Sequence, residues 1–418
     1  MNPDHFTVVF LAALALSTGL RLWLDLRHLR HVRAHREQVP ADFFGRIELV
    51  DHRKAADYTA AKVRLGFFEI TVDTLLLLLF TLGGALALID DSLLAWLGAG
   101  HLQGLALFAA VTVMGFLVGL PASLYRSFVI EERFGFNKLT WKLWLADLAR
   151  GAALAVVIGG PLLFTVLWLM DAMGRNWWLY VWLVWLATNL LILFLYPTVI
   201  APLFNKFTPL ADAALKQRIE ALLARCGFAS SGLFVMDGSK RSAHGNAYFT
   251  GFGRAKRIVF FDTLLEKLAP QEIEAVLAHE LGHFRHRHVI KRIAVSAVLS
   301  LAFLWLLGQL IDQPWFYQGL GVGAGDTVSG TAMGLLLFTM VLPVFLFPLA
   351  PLTSGLSRRH EYEADAYAAQ QTAAADLIAA LVKLYRDNAA TLTPDPLHSL
   401  FHDSHPPASQ RIARLKPL

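Results

Sequence analysis

The sequence predicts a mainly α-helical, polytopic membrane protein with a small β-hairpin outside the bilayer. Three observations support this fold class. The 418 residues are 56% hydrophobic and only 17% charged, and the mean hydropathy of +0.50 exceeds that of ordinary soluble domains. Long apolar runs recur along the chain, and Lys and Arg are concentrated in alternate loops between those runs.

The apolar runs are long enough to cross a membrane as helices. A hydrocarbon core of roughly 30 Å requires about 20 mostly apolar helical residues. Seven runs come close to or meet this requirement, and the sixth is the shortest. They are residues 5–24, 67–89, 105–125, 148–170, 177–200, 294–311 and 332–352.

The loop charges predict how these spans are oriented. Lys and Arg accumulate on the cytoplasmic side of membrane proteins. The loop between the first two spans holds nine of them, whereas segments 90–104 and 312–331 hold none. We therefore expect an external N-terminus and a cytoplasmic C-terminus, and the net charge of +5 does not require a nucleic-acid partner. The Ala-, Leu- and Arg-rich composition suggests a bacterial source, and thus the inner membrane.

The remaining sequence divides the chain into four parts. Residues 1–204 hold five spans, 293–353 hold two, and the polar segments 205–292 and 354–418 should meet in the cytoplasm. The first polar segment predicts a helix over 212–226, a strand over 233–236, and a hairpin with strands 246–252 and 257–262 around the turn 253–256. Pro270 suits the first turn of a further helix that carries residues 275–288.

That helix contains the motif HELGH at residues 279–283. His279 and His283 are four residues apart and share a helix face, so both rings can reach one zinc ion at about 2.0–2.1 Å. Glu280 lies about 100° around the helix, where it can serve as general base without occupying a coordination position. The alternative interpretation is a charged surface helix, because a run of basic residues and histidines follows at 285–288. The single cysteine, Cys226, excludes a thiolate-rich site.

A catalytic zinc usually has three protein ligands and one open position. A metzincin-like site would need Gly at 286 and His at 289, but the chain has His286 and Val289. The preferred third ligand is Glu361, with Glu363 left as an alternative. Asp365 follows Glu361 by four residues, so it can orient a ligating histidine from the outer shell. Two spans separate His283 from Glu361, which brings both halves of the site to the same side of the membrane.

At five separated places the residues resemble the type I CAAX prenyl protease family. The resemblance covers FVIEERFGFN at 128–137, DGSKRS at 237–242 leading into NAYF at 246–249, and HELGH. It continues through EYEAD at 361–365 and HPP at 405–407, which is followed by Arg411. Five matches in the same order are far more specific than an isolated HExxH motif.

The resemblance implies a seven-helix barrel around a large chamber, with a gluzincin-like zinc site at its cytoplasmic end. It also implies endoproteolysis near the C-terminus of prenylated proteins, so the partners would be a peptide or lipidated protein and membrane lipid. By the same likeness Asn246 would lie on an edge strand that binds substrate. His405 would stabilise the oxyanion, and Arg411 would be a supporting cation at the substrate. Residues 243–245 depart from the serines common in the family, so the resemblance does not define the details of substrate contact.

Two other functions remain as alternatives. A quality-control protease for misfolded membrane proteins would use the same chemistry, but such proteases generally have about four spans. A transporter with a structural zinc would need a fourth protein ligand and would be expected to show inverted repeats or broken helices. Replacement of Glu280 by Gln would distinguish an enzyme from a non-enzyme, because in an enzyme zinc should stay bound while peptide cleavage is lost.

Overall fold

The computed structural model describes residues 1–250, 257–323 and 327–417, and it is dominated by helices. In chain order the elements are α1 (Pro3–Ala34), α2 (Leu49–Phe80), α3 (Ala85–Leu97), α4 (His101–Tyr125), α5 (Glu131–Arg133), α6 (Trp141–Leu154), α7 (Gly160–Ala172), α8 (Trp177–Leu195), α9 (Ala201–Phe204), β1 (Phe207–Pro209), α10 (Ala213–Arg225), β2 (Leu233–Met236), β3 (Ala247–Thr250), β4 (Arg257–Phe261), α11 (Asp262–Leu265), α12 (Pro270–Arg285), α13 (His288–Leu310), α14 (Pro314–Gln318), α15 (Thr327–Leu346), α16 (Ala350–Gln371), α17 (Ala374–Asp387), α18 (Pro396–His402) and α19 (Ala408–Leu415).

Within the described ranges, six continuous helical segments are long and apolar enough to span a membrane, and a seventh span results if the bent pair α2 and α3 is counted as one. The seven predicted spans agree with this larger count. The helices are longer than the apolar runs, because they extend into polar sequence at their ends. Three π-helical turns join successive helices into continuous segments: Arg126–Ile130, Ala155–Gly159 and Tyr196–Ile200.

The second predicted span is wrong as a single helix over 67–89. Helix α2 ends at Phe80, and α3 leaves it with a bend of 52°. The break falls at Gly83 and Gly84, and Gly84 has a φ of +76°, a left-handed conformation that glycine adopts without steric cost. The apolar run continues through the break, so hydropathy alone does not mark the bend.

Two acidic residues, Glu69 and Asp73, lie four residues apart in α2. Asp73 is exposed within the protein, and Glu69 is half-buried. A carboxylate oxygen of Glu69 lies 2.5 Å from Arg126 Nη2 at the end of the third span. The ion pair supplies the partner that an ionisable group at this depth requires.

The polar segments pack into one body around a four-stranded sheet of order β1-β2-β4-β3. Strand β2 matches the predicted strand at 233–236, and it pairs in parallel with β4. Strands β3 and β4 are antiparallel, with Ala247 opposite Phe260, as the hairpin prediction requires. The predicted turn 253–256 lies outside the described residues. A buried core joins this sheet to helices from both polar segments, including α10, α12, α17 and α19.

The HELGH helix ends three residues earlier than predicted. Helix α12 stops at Arg285, and Arg287 adopts a left-handed conformation with a φ of +56° before α13 begins at His288. Hydrophobic spacing gives no signal for a break within this charged stretch. The turn brings His288 back towards the HELGH face and buries its side chain.

Gly282 allows α12 and α16 to cross closely. A Cβ atom at this position would lie 2.8 Å from the Cα atom of Ala364, closer than packed carbon atoms approach. Gly282 therefore allows α12, which carries the two histidines of HELGH, to pack against α16, which carries Glu361. The crossing joins the two polar segments directly at the predicted site.

Arg241, in the segment before β3, ties the sheet to the membrane helices. Its Nε and Nη2 atoms donate to the two carboxylate oxygens of Asp147 at 2.8 and 2.9 Å. Its Nη2 also donates to the carbonyl oxygen of Phe204 at 2.6 Å. The bidentate geometry fixes orientation as well as distance, so the segment that leads into β3 is anchored to the helices around it.

Candidate active site

Three potential metal ligands converge where α12 crosses α16. His279 Nε2 lies 3.3 Å from His283 Nε2, and each of these atoms lies 3.4 Å from a carboxylate oxygen of Glu361. Helices α13 and α15 separate the two halves in sequence, and both belong to segments that are long and apolar enough to span a membrane. The expectation that two intervening spans return the chain to the same side thus agrees with the geometry.

These three residues fit a divalent cation. Ligand atoms about 2.0–2.1 Å from a tetrahedral ion lie about 3.3–3.4 Å from one another, which matches the observed separations. Glu361 Oε2 is buried and accepts no hydrogen bond from the residues that the structure describes, although buried carboxylate oxygens normally have a partner. Burial, together with the neighbouring His279, lowers the pKa of His283 to about 3, so its ring is neutral and can present a lone pair.

Asp365 and Arg411 lie behind His279. His279 Nδ1 is 2.8 Å from Asp365 Oδ1, and Arg411 donates to both oxygens of Asp365 at 2.5 and 2.8 Å. Burial alone lowers the pKa of His279, but the nearby carboxylates of Asp365 and Glu361 outweigh burial and raise it to about 9. Asp365 therefore has the position expected of a group that orients the ring.

The position of the Arg411 side chain differs from the expectation that it contacts substrate. Its side chain is only 8% exposed, and its guanidinium is occupied by Asp365. The Nη1 atom lies 3.9 Å from Glu361 Oε2. Arg411 thus supports two acidic groups from the protein side of the site, because the fork of its donors matches the carboxylate of Asp365.

Glu280 follows His279 on α12 and is partly accessible. Burial raises the pKa of its carboxyl group, and the nearby Glu361 acts in the same direction. A carboxylate of raised pKa is a stronger base than a free glutamate. Its place on the helix is the one expected for a residue that faces the reacting water without binding the metal.

His405 lies at the accessible side of the site, and Asn246 is exposed at the start of the edge strand. His405 Nε2 is 3.5 Å from Glu361 Oε1, and its side chain is 63% exposed. Asn246 immediately precedes β3, the edge strand of the sheet, and its carbonyl oxygen accepts from the Phe261 amide at 3.0 Å. Phe249 of β3 packs on Phe284 of α12, with ring centroids 5.2 Å apart. The edge strand therefore runs beside the HELGH helix.

Among the described residues, a second group of possible ligands comprises Asp25, His398 and His402. Its geometry is less suitable. The rings of His398 and His402 are stacked 4.2 Å apart at 13°, so their in-plane lone pairs do not converge on one point. The rings of His279 and His283 are at 85°, which allows both lone pairs to meet. The geometry therefore makes His279, His283 and Glu361 the better candidate metal position.

Three contributors to the site were not predicted from the sequence. They are His288, Glu363 as its partner, and Gly282 at the helix crossing. The signal for Gly282 was its position inside HELGH, where glycine weakens a helix and so needs a packing reason. In the sequence His288 belongs to the charged run after HELGH, and Glu363 is only an alternative metal ligand.

The fold and the site together define an integral membrane metalloprotease. A bundle of membrane helices carries a body in which the histidines of HExxH and a distant glutamate converge, with Glu280 next to His279 in sequence. Comparison with known proteins agrees with this class. Residues 28–206 match the CAAX prenyl protease N-terminal family of five membrane helices, and residues 209–418 match peptidase family M48.

The chain belongs to peptidase family M48, within its CAAX prenyl protease group. It is 38% identical over 325 residues to CAAX prenyl protease 1 of Saccharomyces cerevisiae, covering 75% of this chain and 72% of the relative. It is 39% identical over 318 residues to the CAAX prenyl protease 1 homolog of Arabidopsis thaliana, covering 74% and 73%. The crystal structure of S. mikatae Ste24p superposes with a TM-score of 0.92 at 32% identity, covering 98% of this chain and 99% of that one.

Proposed function

We propose that this membrane metalloprotease uses one zinc ion, held by His279, His283 and Glu361, to hydrolyse peptide bonds near the C-terminus of prenylated proteins. The observation that supports the zinc site is the set of ligand separations of 3.3 and 3.4 Å, which fit tetrahedral coordination. The described residues supply three ligands at this position. A structural zinc would need a fourth, so the arrangement favours catalysis over a structural role.

Each residue of the site has a proposed task. Bound zinc would supply Lewis acidity that polarises the scissile carbonyl and acidifies a water molecule. Glu280 accepts the proton of the attacking water on a carboxylate oxygen and delivers it to the nitrogen of the departing amine. His405 donates from its ring to the developing oxyanion. Asp365 accepts from His279 Nδ1, and Arg411 holds Asp365 in place.

The proposed substrate path follows the outer edge of β3, which among the described residues pairs only with β4. Strand β3 is the terminal strand of the sheet order β1-β2-β4-β3, so one row of its backbone groups can pair with an extended peptide. Asn246 lies at the start of this edge, and its side chain is exposed. A peptide bound there as an added strand would pass beside α12 and the proposed metal position.

The lipid requirement can be tested directly on purified protein. One peptide of fixed sequence would be prepared with and without a farnesyl group on its cysteine, and cleavage would be followed by mass spectrometry. We expect the farnesylated peptide to be cleaved with the higher kcat/KM, because its apolar chain can bind within the membrane part of the protein.

Metal analysis of the same preparation provides the control, and we expect about one zinc per chain. Equal cleavage of both peptides would contradict the prenylated-substrate proposal and favour a general role such as membrane-protein quality control. No cleavage of either peptide, together with no bound metal, would contradict the protease assignment to this site.

We further propose that the site faces the cytoplasm of a bacterial inner membrane. The supporting observation is the alternation of loops rich in Lys and Arg with loops that hold few or none, with nine basic residues between the first two predicted spans. A fluorescent protein that matures only in the cytoplasm would be fused to the C-terminus, and a phosphatase that is active only in the periplasm would be fused there in a separate experiment. We expect fluorescence and no phosphatase activity. The reverse pattern would invert the proposed orientation.

A further inference from the structure

His283 is linked to a second histidine and a carboxylate that the proposed mechanism does not use. His283 Nδ1 lies 3.0 Å from His288 Nδ1, and His288 Nε2 lies 3.0 Å from Glu363 Oε2. The three residues come from three helices, α12, α13 and α16. The contact depends on the left-handed turn at Arg287, which returns the chain so that His288 faces His283.

We call His283, His288 and Glu363 the relay. The chemistry of a metal ligand fixes where the protons lie in it. If His283 binds a metal through Nε2, its proton must be on Nδ1. That proton can be donated only to a lone pair on His288 Nδ1, so the proton of His288 is on Nε2. His288 Nε2 then donates to Glu363, and each hydrogen bond has one donor and one acceptor.

The surroundings hold the relay in this arrangement. His288 is 2% exposed, and its ring stacks on His360 with centroids 4.0 Å apart at 14°. The other oxygen of Glu363 accepts from Arg359 Nε at 3.1 Å. Because both ends of the relay are fixed, the ring of His283 has one preferred orientation and one preferred tautomer.

We propose that His288 and Glu363 are positioning residues for zinc binding by His283, and that they act as the counterpart of Asp365 behind His279. The inference rests on the proposed metal site. Outer-shell partners of ligating histidines orient the ring and raise its basicity, and their loss typically weakens metal affinity about 10–100-fold. Glu363 thus belongs to the site through His288 and not as the third ligand.

The test compares three variants of the full-length protein in detergent. His288→Phe keeps an aromatic ring but removes the acceptor, whereas His288→Asn places an amide oxygen near the former Nδ1 position. His360→Phe is the matched control, because it preserves stacking on His288 and lies outside the relay. Zinc dissociation constants would be measured by competition with a chromogenic chelator, and visible spectra would be recorded after cobalt substitution.

We expect His288→Phe to raise the zinc dissociation constant about 10–100-fold and to shift the cobalt spectrum. His288→Asn should restore most of the affinity, and His360→Phe should bind like the parent protein. An unchanged constant for His288→Phe would refute the relay, as would equal losses in Phe and Asn variants with the same thermal stability. If Glu361→Ala also kept full zinc affinity, the metal site itself would be wrong, which separates failure of the relay from failure of the proposed function.

Discussion

Replacement of Glu280 by Gln should abolish peptide cleavage while zinc remains bound. The amide has nearly the same shape as the carboxylate, but it cannot accept the proton of the attacking water. General-base catalysis contributes about 10²–10⁴-fold to rate, so we expect kcat to fall by about that factor with little change in KM. The measurement is steady-state cleavage of the farnesylated peptide together with zinc analysis of the same sample.

A suitable control is Glu266→Gln, which makes the same chemical change at an exposed glutamate before α12. It should cleave at the parental rate. If Glu280→Gln retained parental cleavage, Glu280 would not be the base. If it instead lost zinc, the residue would have a role in metal binding, and the loss of cleavage would no longer indicate base catalysis.

The proposed metal position rests on two features, one local in sequence and one topological. Helical periodicity places His279 and His283 on one face whatever surrounds them. The even number of spans between them and Glu361 brings the two halves to the same side of the membrane, and the observed separations of 3.4 Å agree. Neither inference needs side-chain detail, which is why both could be made from the sequence.

The remaining features depend on backbone geometry and on contacts distant in sequence. The bend between α2 and α3 lies inside a continuous apolar run, and the end of α12 lies inside a charged one, so hydropathy predicts neither break. Arg411 was expected at the substrate, but its partner Asp365 lies 46 residues away. Only tertiary packing shows that the guanidinium and this carboxylate meet.

Removal of the carboxylate in Glu361→Ala should release the metal. The substitution leaves two imidazoles, and two ligands from one helix hold an ion far less strongly than three that surround it. The loss of affinity should exceed the roughly 10–100-fold expected for an outer-shell group. We therefore expect a zinc content near zero after dialysis against a weak chelator, and no detectable cleavage.

Glu363→Gln is the matched control, because it lies on the same helix and was the alternative third ligand. Its amide oxygen can still accept from His288 Nε2, so zinc content should remain near one per chain.

Excess zinc in the assay would distinguish weakened binding from misfolding, since partial recovery of cleavage by Glu361→Ala at high zinc requires an intact fold. The opposite result, in which Glu363→Gln loses zinc and Glu361→Ala keeps it, would move the ligand to Glu363. Such a shift of two residues along α16 would require the helix to rotate by about 200° at its crossing with α12, which the close contact between Gly282 and Ala364 opposes.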